Sequence, residues 1–116
     1  MSPADCLFCK IIAGEIPSSK VYEDGVCYAF NDLSPQAPTH ILIVPRRHVD
    51  SLDKATGAEK DMLGHLMLTA AEIAREKGFV EDGYRVVINT NDHGGQTVFH
   101  LHVHLLGGRP FIFPPG

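Results

Sequence analysis

The sequence predicts an α+β fold: a single antiparallel sheet with a short N-terminal helix and one long helix laid on it. Three observations carry this. Two short strand patterns flank Asp24-Gly25, a hairpin signal. Ile41-Leu42-Ile43-Val44 is a continuous apolar run ended by Pro45, the pattern of a buried strand. Thr56 and Glu59 make a capping-box pattern that opens a long stretch of helical apolar spacing.

Each element follows in chain order. Asp5 is placed to cap a short helix from about Cys6 to Ala13, with Gly14 as its left-handed stop. Val21 to Glu23 and Val26 to Phe30 read as the hairpin strands. Asn31 to Pro38 is a loop held open by two prolines. The long helix should run to about Lys77 and stop at Gly78. Met62, Leu63, Leu66, Ala70, Ile73 and Ala74 form its core stripe, with Met67 beside it. Tyr84 to Asn89 is another strand, Asn91 to Gly95 a flexible loop, and a histidine-bearing strand follows. Residues 1–116 are expected to form one domain.

Composition narrows the classes. The chain has 116 residues, 44% of them hydrophobic, and a net charge of -4. That balance belongs to a globular domain and argues against nonspecific nucleic-acid binding, which needs a basic surface. No apolar run is long enough for a membrane span. Met1 to Cys6 lacks the basic start and apolar stretch of a signal peptide. Three cysteines cannot all pair internally, so a reducing cytoplasm is expected.

The chemistry concentrates near the C-terminus. His100, His102 and His104 alternate with Leu101, Val103 and Leu105. Strand periodicity puts the three imidazoles on one face and the apolar residues on the other. A lone strand histidine is most simply structural, whereas three in strict alternation are a site. Metal ligation, acid–base work and nucleophilic attack all suit them. Just upstream, Gly94 and Gly95 would let backbone N–H groups approach an anion, and Gln96 and Thr97 would add side-chain donors. A phosphate held there would sit beside imidazoles able to attack phosphorus.

Cys6-Leu7-Phe8-Cys9 is half a zinc site or a redox pair. His48 and one member of the histidine row could complete a tetrahedron. Structural zinc and free buried thiols both fit these residues. Cys27 reads as a small core residue. Asp32 and Asn89 each end a strand, as turn residues or as ligand-facing groups; the Asp32 carboxylate could accept both ribose hydroxyls. His40, His65 and His93 carry no motif and read as surface or core residues. Arg46, Arg47 and Arg109 read as solvated.

Together these residues resemble the histidine-triad superfamily, defined by His-x-His-x-His followed by apolar residues. Here that is His100-Leu101-His102-Val103-His104-Leu105-Leu106. Cys6 to Pro17, Phe30 to His40, Leu63 to Leu66, Gly83 to Arg85, Gly94 to Gly108 and the terminal Pro114-Pro115-Gly116 resemble its Hint branch, the histidine-triad nucleotide-binding proteins. The resemblance implies a homodimer that joins two sheets and packs the long helices together. It also implies a purine nucleoside phosphoramidase, an adenosine 5'-monophosphoramidase with AMP-type ligands. In that reading His102 is the nucleophile, His104 contacts the α-phosphate, and Thr97 supplies a hydroxyl near the leaving amine. Asp32 binds ribose beside Leu33, while Asn89 and the backbone of Gly95 make phosphate-side contacts. Phe8, Ile11, Ile16, Phe30 and Leu42 line the base pocket. His100 supports the site and, with Cys6, Cys9 and His48, would hold a structural zinc, with no cofactor needed for the chemistry.

The sequence departs from the family at three places. Thr97 stands where serine is frequent, and its extra methyl restricts the hydroxyl. The chain has no tryptophan, and Phe113 occupies the place where some relatives have one. Asn31 replaces a histidine found in some relatives. Two other functions compete: a dinucleoside polyphosphate hydrolase as in the Fhit branch, and a non-catalytic nucleotide-binding or scaffolding dimer.

Overall fold

The computed structural model describes residues 5–116. The signal-peptide expectation for residues 1–4 therefore lies outside the described residues. The elements are α1 (Leu7–Ile12), β1 (Lys20–Glu23), β2 (Cys27–Asn31), β3 (Thr39–Pro45), α2 (Lys60–Glu76), β4 (Arg85–Val87), α3 (Asn91–Gly94) and β5 (Val103–Gly107). The strands form one antiparallel sheet in the order β1-β2-β3-β5-β4. The α+β fold with one long helix is as expected. No helix among the described residues is long and apolar enough to cross a membrane.

Alternation along the central strands builds two apolar layers. Cys27, Ala29, Ile41, Ile43, Val103 and Leu105 face α2, where Leu66, Ala70, Ile73 and Ala74 meet them. Tyr28, Phe30, Leu42 and Val44 face the other way, against Cys6, Phe8 and Ile11 of the α1 segment. The run Ile41 to Val44 is apolar throughout because both of its faces are covered. Cys27 is a core residue, as expected.

Several boundaries differ from expectation for local reasons. The cap of α1 is Cys6, whose thiol accepts the Cys9 N–H at 3.3 Å, and not Asp5. Gly14 is left-handed, with φ +80°, as its role as a stop requires. The hairpin turn is held by the Asp24 carboxylate, which accepts the N–H groups of Val26 and Cys27 at 2.8 and 2.9 Å. Gly25 has no left-handed φ, so the Asp side chain and not the glycine shapes this turn. The capping box at Thr56 and Glu59 is present, but it caps a 3-10 turn (Gly57–Glu59) that leads into α2. At the far end, Phe79 N–H bonds the Ala74 carbonyl and Gly78 takes φ +82°, a Schellman close. Met67 remains 44% exposed at the margin of the stripe.

The last third of the chain differs most. Asn91 to Gly95 is not a free loop: α3 forms there, and Gln96 Oε1 accepts the Asn91 N–H at 2.9 Å. Pairing of β4 covers only Arg85–Val87, since the chain then turns into α3. Strand β5 begins at Val103, so His100 and His102 precede it. Pro45 explains this. The β3–β5 register would set Leu101 opposite Pro45, which has no N–H to donate. The Leu101 N–H turns instead to the Val49 carbonyl at 2.7 Å. Side-chain alternation survives: Leu101, Val103 and Leu105 still enter the α2-side core.

Candidate active site

A cleft of about 560 Å³ opens on the α1 side of the sheet. Phe8, Ile11, Ile16, Phe30 and Leu42 line it, as do Asp32, Leu33, Gly95, Thr97, His102 and His104. One part is an apolar slot built from α1 and the central strands. The other holds imidazoles, a carboxylate and a hydroxyl. Asn89 is not among the lining residues; it backs the glycine turn, with its backbone 3.7 Å from where a Gly94 Cβ would lie.

Protons in the row are assigned by partners that can act only one way. His102 Nδ1 lies 2.7 Å from the His100 carbonyl oxygen, which can only accept. Nδ1 therefore carries the proton, and Nε2 of this cleft-lining ring is left as a bare lone pair. The Phe8 ring stands edge-on to this imidazole, centroids 5.0 Å apart. Burial lowers the His102 pKa, which keeps it neutral and nucleophilic.

His104 has the opposite polarity. The Gln36 N–H can only donate, and it lies 3.0 Å from His40 Nδ1. His40 Nε2 must then hold the proton, which it donates to His104 Nδ1 at 2.8 Å. The neutral His104 ring therefore carries its proton on Nε2, a buried atom without a hydrogen-bond partner. Burial, reinforced by His102 and His40, brings the His104 pKa down to about 4. One imidazole thus offers a lone pair and its neighbour an N–H, with ring centroids 5.0 Å apart. That pairing suits attack on phosphorus beside a stabilised equatorial oxygen.

His40 was not legible as a site residue. It is 5% exposed and lies 3.5 Å from Asp32 Oδ2. Its signal was positional: on β3 it shares a face with Leu42, which lies opposite His104. Asp32 caps its turn and also borders the cleft; its Oδ1 accepts the Ser34 N–H at 2.7 Å. Thr97 is exposed at the cleft, and its hydroxyl has no partner among the described residues.

The glycine turn corrects an expectation. The N–H groups of Gly95 and Gln96 are committed to the Asp92 and Asn91 carbonyls, both at 3.0 Å, so neither is open to an anion. The Gln96 side chain is buried and structural. Its Nε2 donates to the Asp50 and Val98 carbonyls at 2.8 and 3.0 Å. The expected solvated arginines are also engaged. Arg46 donates to Glu23 and to the Asp24 carbonyl, Arg47 lies 3.3 Å from the buried Glu59, and Arg109 donates to the Gln36 carbonyl. His65 is bonded to Asp24 at 2.7 Å. His93 is exposed on α3.

Behind the row, Cys6, Cys9, His48 and His100 converge, with all four candidate ligand atoms within 4.8 Å of one another. The His100 Nδ1 lies 3.3 Å from Cys6 Sγ and 3.5 Å from Cys9 Sγ; His48 Nδ1 lies 3.4 Å from Cys9 Sγ. Both rings have Nε2 engaged by acceptors, the Pro45 carbonyl at 2.8 Å and the Asp50 carboxylate at 2.7 Å. Each Nδ1 is thereby left as a lone pair facing the thiols. Two sulfurs and two oriented imidazoles are a donor set that fits zinc.

A family model described as the HIT domain matches residues 13–111. The chain belongs to the HIT family. It is 54% identical over 97% of both chains to an uncharacterised HIT-like protein of Synechococcus elongatus. It is 51% identical to the purine nucleoside phosphoramidase of Escherichia coli K12, over 91% of this chain and 89% of that one. The crystal structure of a HIT family hydrolase from Legionella pneumophila superposes with a TM-score of 0.95. That match has 46% identity and covers 97% of this chain and all of that one (100%). Of the histidine row, His102 and His104 line the cleft together with His40, while His100 is turned to the thiols.

Proposed function

We propose that this HIT protein is a purine nucleoside phosphoramidase, cleaving the P–N bond of adenosine 5'-monophosphoramidate and similar compounds. The carrying observation is the opposed polarity of His102 Nε2 and His104 Nε2–H at one end of an apolar cleft. Likeness to the Escherichia coli phosphoramidase supports the substrate class. The purine lies in the slot of Phe8, Ile11, Ile16, Phe30 and Leu42, and the ribose hydroxyls meet Asp32 beside Leu33. Gly95 and Asn89 stand on the phosphate side, Gly95 at the wall and Asn89 behind it.

His102 Nε2 attacks phosphorus, and the P–N bond breaks as the N–P bond to the ring forms. The positive charge that develops on the ring is held by the His100 carbonyl through Nδ1–H. His104 Nε2–H donates to a non-bridging oxygen, and the exposed Thr97 hydroxyl relays a proton from solvent water to the departing amine, a proton that the later attack of water returns to solvent. Water then attacks the nucleotidyl-histidine, giving AMP and the neutral imidazole. Cys6, Cys9, His48 and His100 would hold a structural zinc. Four protein ligands leave it no open position, so it supplies rigidity and not Lewis acidity. A homodimer accompanies this reading: β4 is a short edge strand, and Leu68, Val80, Ile112 and Phe113 are exposed apolar side chains.

The test follows AMP release from adenosine 5'-monophosphoramidate by the wild type and by His102→Ala. Release that vanishes in a folded His102→Ala variant is expected. Full activity in that variant rejects the mechanism. Faster turnover of diadenosine polyphosphate than of the phosphoramidate rejects the substrate class.

A further inference from the structure

Arg109 lies on the exposed turn after β5, outside the cleft lining, yet it is bonded to the loop that borders the cleft. Its Nη2 donates to the Gln36 carbonyl at 2.9 Å, and its guanidinium lies 4.3 Å from the Phe111 ring centroid. Gly108 makes that reach possible. Its φ is +94°, and a Cβ there would stand 2.9 Å from Pro38 Cβ. The turn after β5 therefore presses directly on the Gln36–Pro38 segment. The same residue whose carbonyl Arg109 holds sends its N–H to His40 Nδ1, and His40 Nε2 bonds His104 Nδ1.

We propose that Arg109 is a positioning residue: by holding Gln36 in place it fixes the tautomer of His40, and so keeps His104 as an Nε2–H donor facing the substrate phosphate. The inference deepens the phosphoramidase reading and takes its phosphate from it.

The physical basis is a chain with two polarities. An amide N–H cannot accept, so His40 Nδ1 must stay bare while Gln36 is in place. If Gln36 withdraws, His40 can carry its proton on Nδ1. His40 Nε2 then accepts, His104 Nδ1 donates, and His104 Nε2 presents a lone pair to an anionic oxygen. The contact from Asp32 Oδ2 to His40 Nε2, at 3.5 Å, is too long to hold the first polarity alone. Arg109 is suited to the clamp because its charge-bearing fork both donates to the carbonyl and stacks on Phe111.

The experiment uses the full chain with Arg109→Met, Arg109→Lys and Gln36→Pro. Methionine keeps an apolar stem over Phe111 without a donor, lysine keeps a donor, and proline deletes the N–H itself. Nitrogen-15 NMR reads the tautomers of His40 and His104. AMP affinity and phosphoramidate turnover are measured beside it. The wild type is expected to show Nε2–H at both rings. Arg109→Met and Gln36→Pro should each populate the Nδ1–H form of His104 and lower turnover about tenfold, part of the effect of losing one such donor. Their combination should add nothing further, and Arg109→Lys should keep the wild-type tautomers. Wild-type tautomers in either Arg109→Met or Gln36→Pro would overturn the proposal, as would additive effects in the pair. Tautomers that shift as stated in a protein inactive on phosphoramidates leave the positioning role standing and reject the function.

Discussion

At the scale of single residues, one-way hydrogen-bond partners decide the chemistry. Two carbonyls and one amide set three of the four site imidazoles, because a backbone group has a fixed direction that a side chain must match. Removing His104 as donor should therefore hurt catalysis more than binding. His104→Ala is expected to lower kcat about 100- to 1000-fold, the usual effect of losing one oxyanion donor. Steady-state kinetics on the phosphoramidate check it, and a change confined to KM contradicts it. Burial also sets a pH dependence. An unperturbed histidine titrates at 6.5, and His104 in the fold at about 4. Between those values the unfolded chain binds a proton that the folded chain refuses. The stability tied to this group is full above 6.5 and is lost as pH falls toward 4. Urea midpoints at pH 7, 5.5 and 4.5 should decline, and the decline should be smaller in His104→Gln. A midpoint constant across that window would exclude the effect.

At the scale of elements, short signals worked where they act locally. Thr56 and Glu59 were legible because a capping box involves only residues three apart. Thr56→Ala should cost about 1 kcal/mol of stability, with turnover unchanged. A thermal melt measures the first and the AMP assay the second. Gly107 is a less visible requirement. A Cβ at Gly107 would lie 2.6 Å from the Phe79 ring, which closes the C-terminal end of α2 over β5. Gly107→Ala is expected to destabilise by about 1–3 kcal/mol through overpacking. A melting temperature equal to the wild type's would show that Phe79 moves aside freely. Nothing near Gly107 in the chain marks this constraint, because its partner is 28 residues away.

At the scale of the whole molecule, the sheet brings the N-terminal Cys6 and Cys9 to His48 and His100, residues up to 94 apart in sequence. About one zinc per chain is expected by elemental analysis, lost in Cys9→Ser and released on acidification because thiolates must reprotonate. Metal retained by Cys9→Ser would assign it elsewhere. His100 joins this cluster to His102, since its ring faces the thiols while its carbonyl accepts from the His102 ring. Loss of metal should therefore loosen His102 as well as α1, and lower both stability and turnover.

The sequence by itself determined the α+β class, the order of the strands and the long helix, and the triad's shared face, because these rest on periodicity and on residue types whose chemistry is intrinsic. Spacing grouped Cys6, Cys9 and His48 with one member of the histidine row, and only the family resemblance singled out His100. Tertiary structure alone decided that β5 starts late, because Pro45 denies it a partner N–H across the sheet. It turned Gln96 inward and closed the Gly95 and Gln96 amides to an anion. It also made His40 part of the site. Those outcomes depend on which backbone group faces which side chain after folding, and no pattern along one strand encodes the register between two.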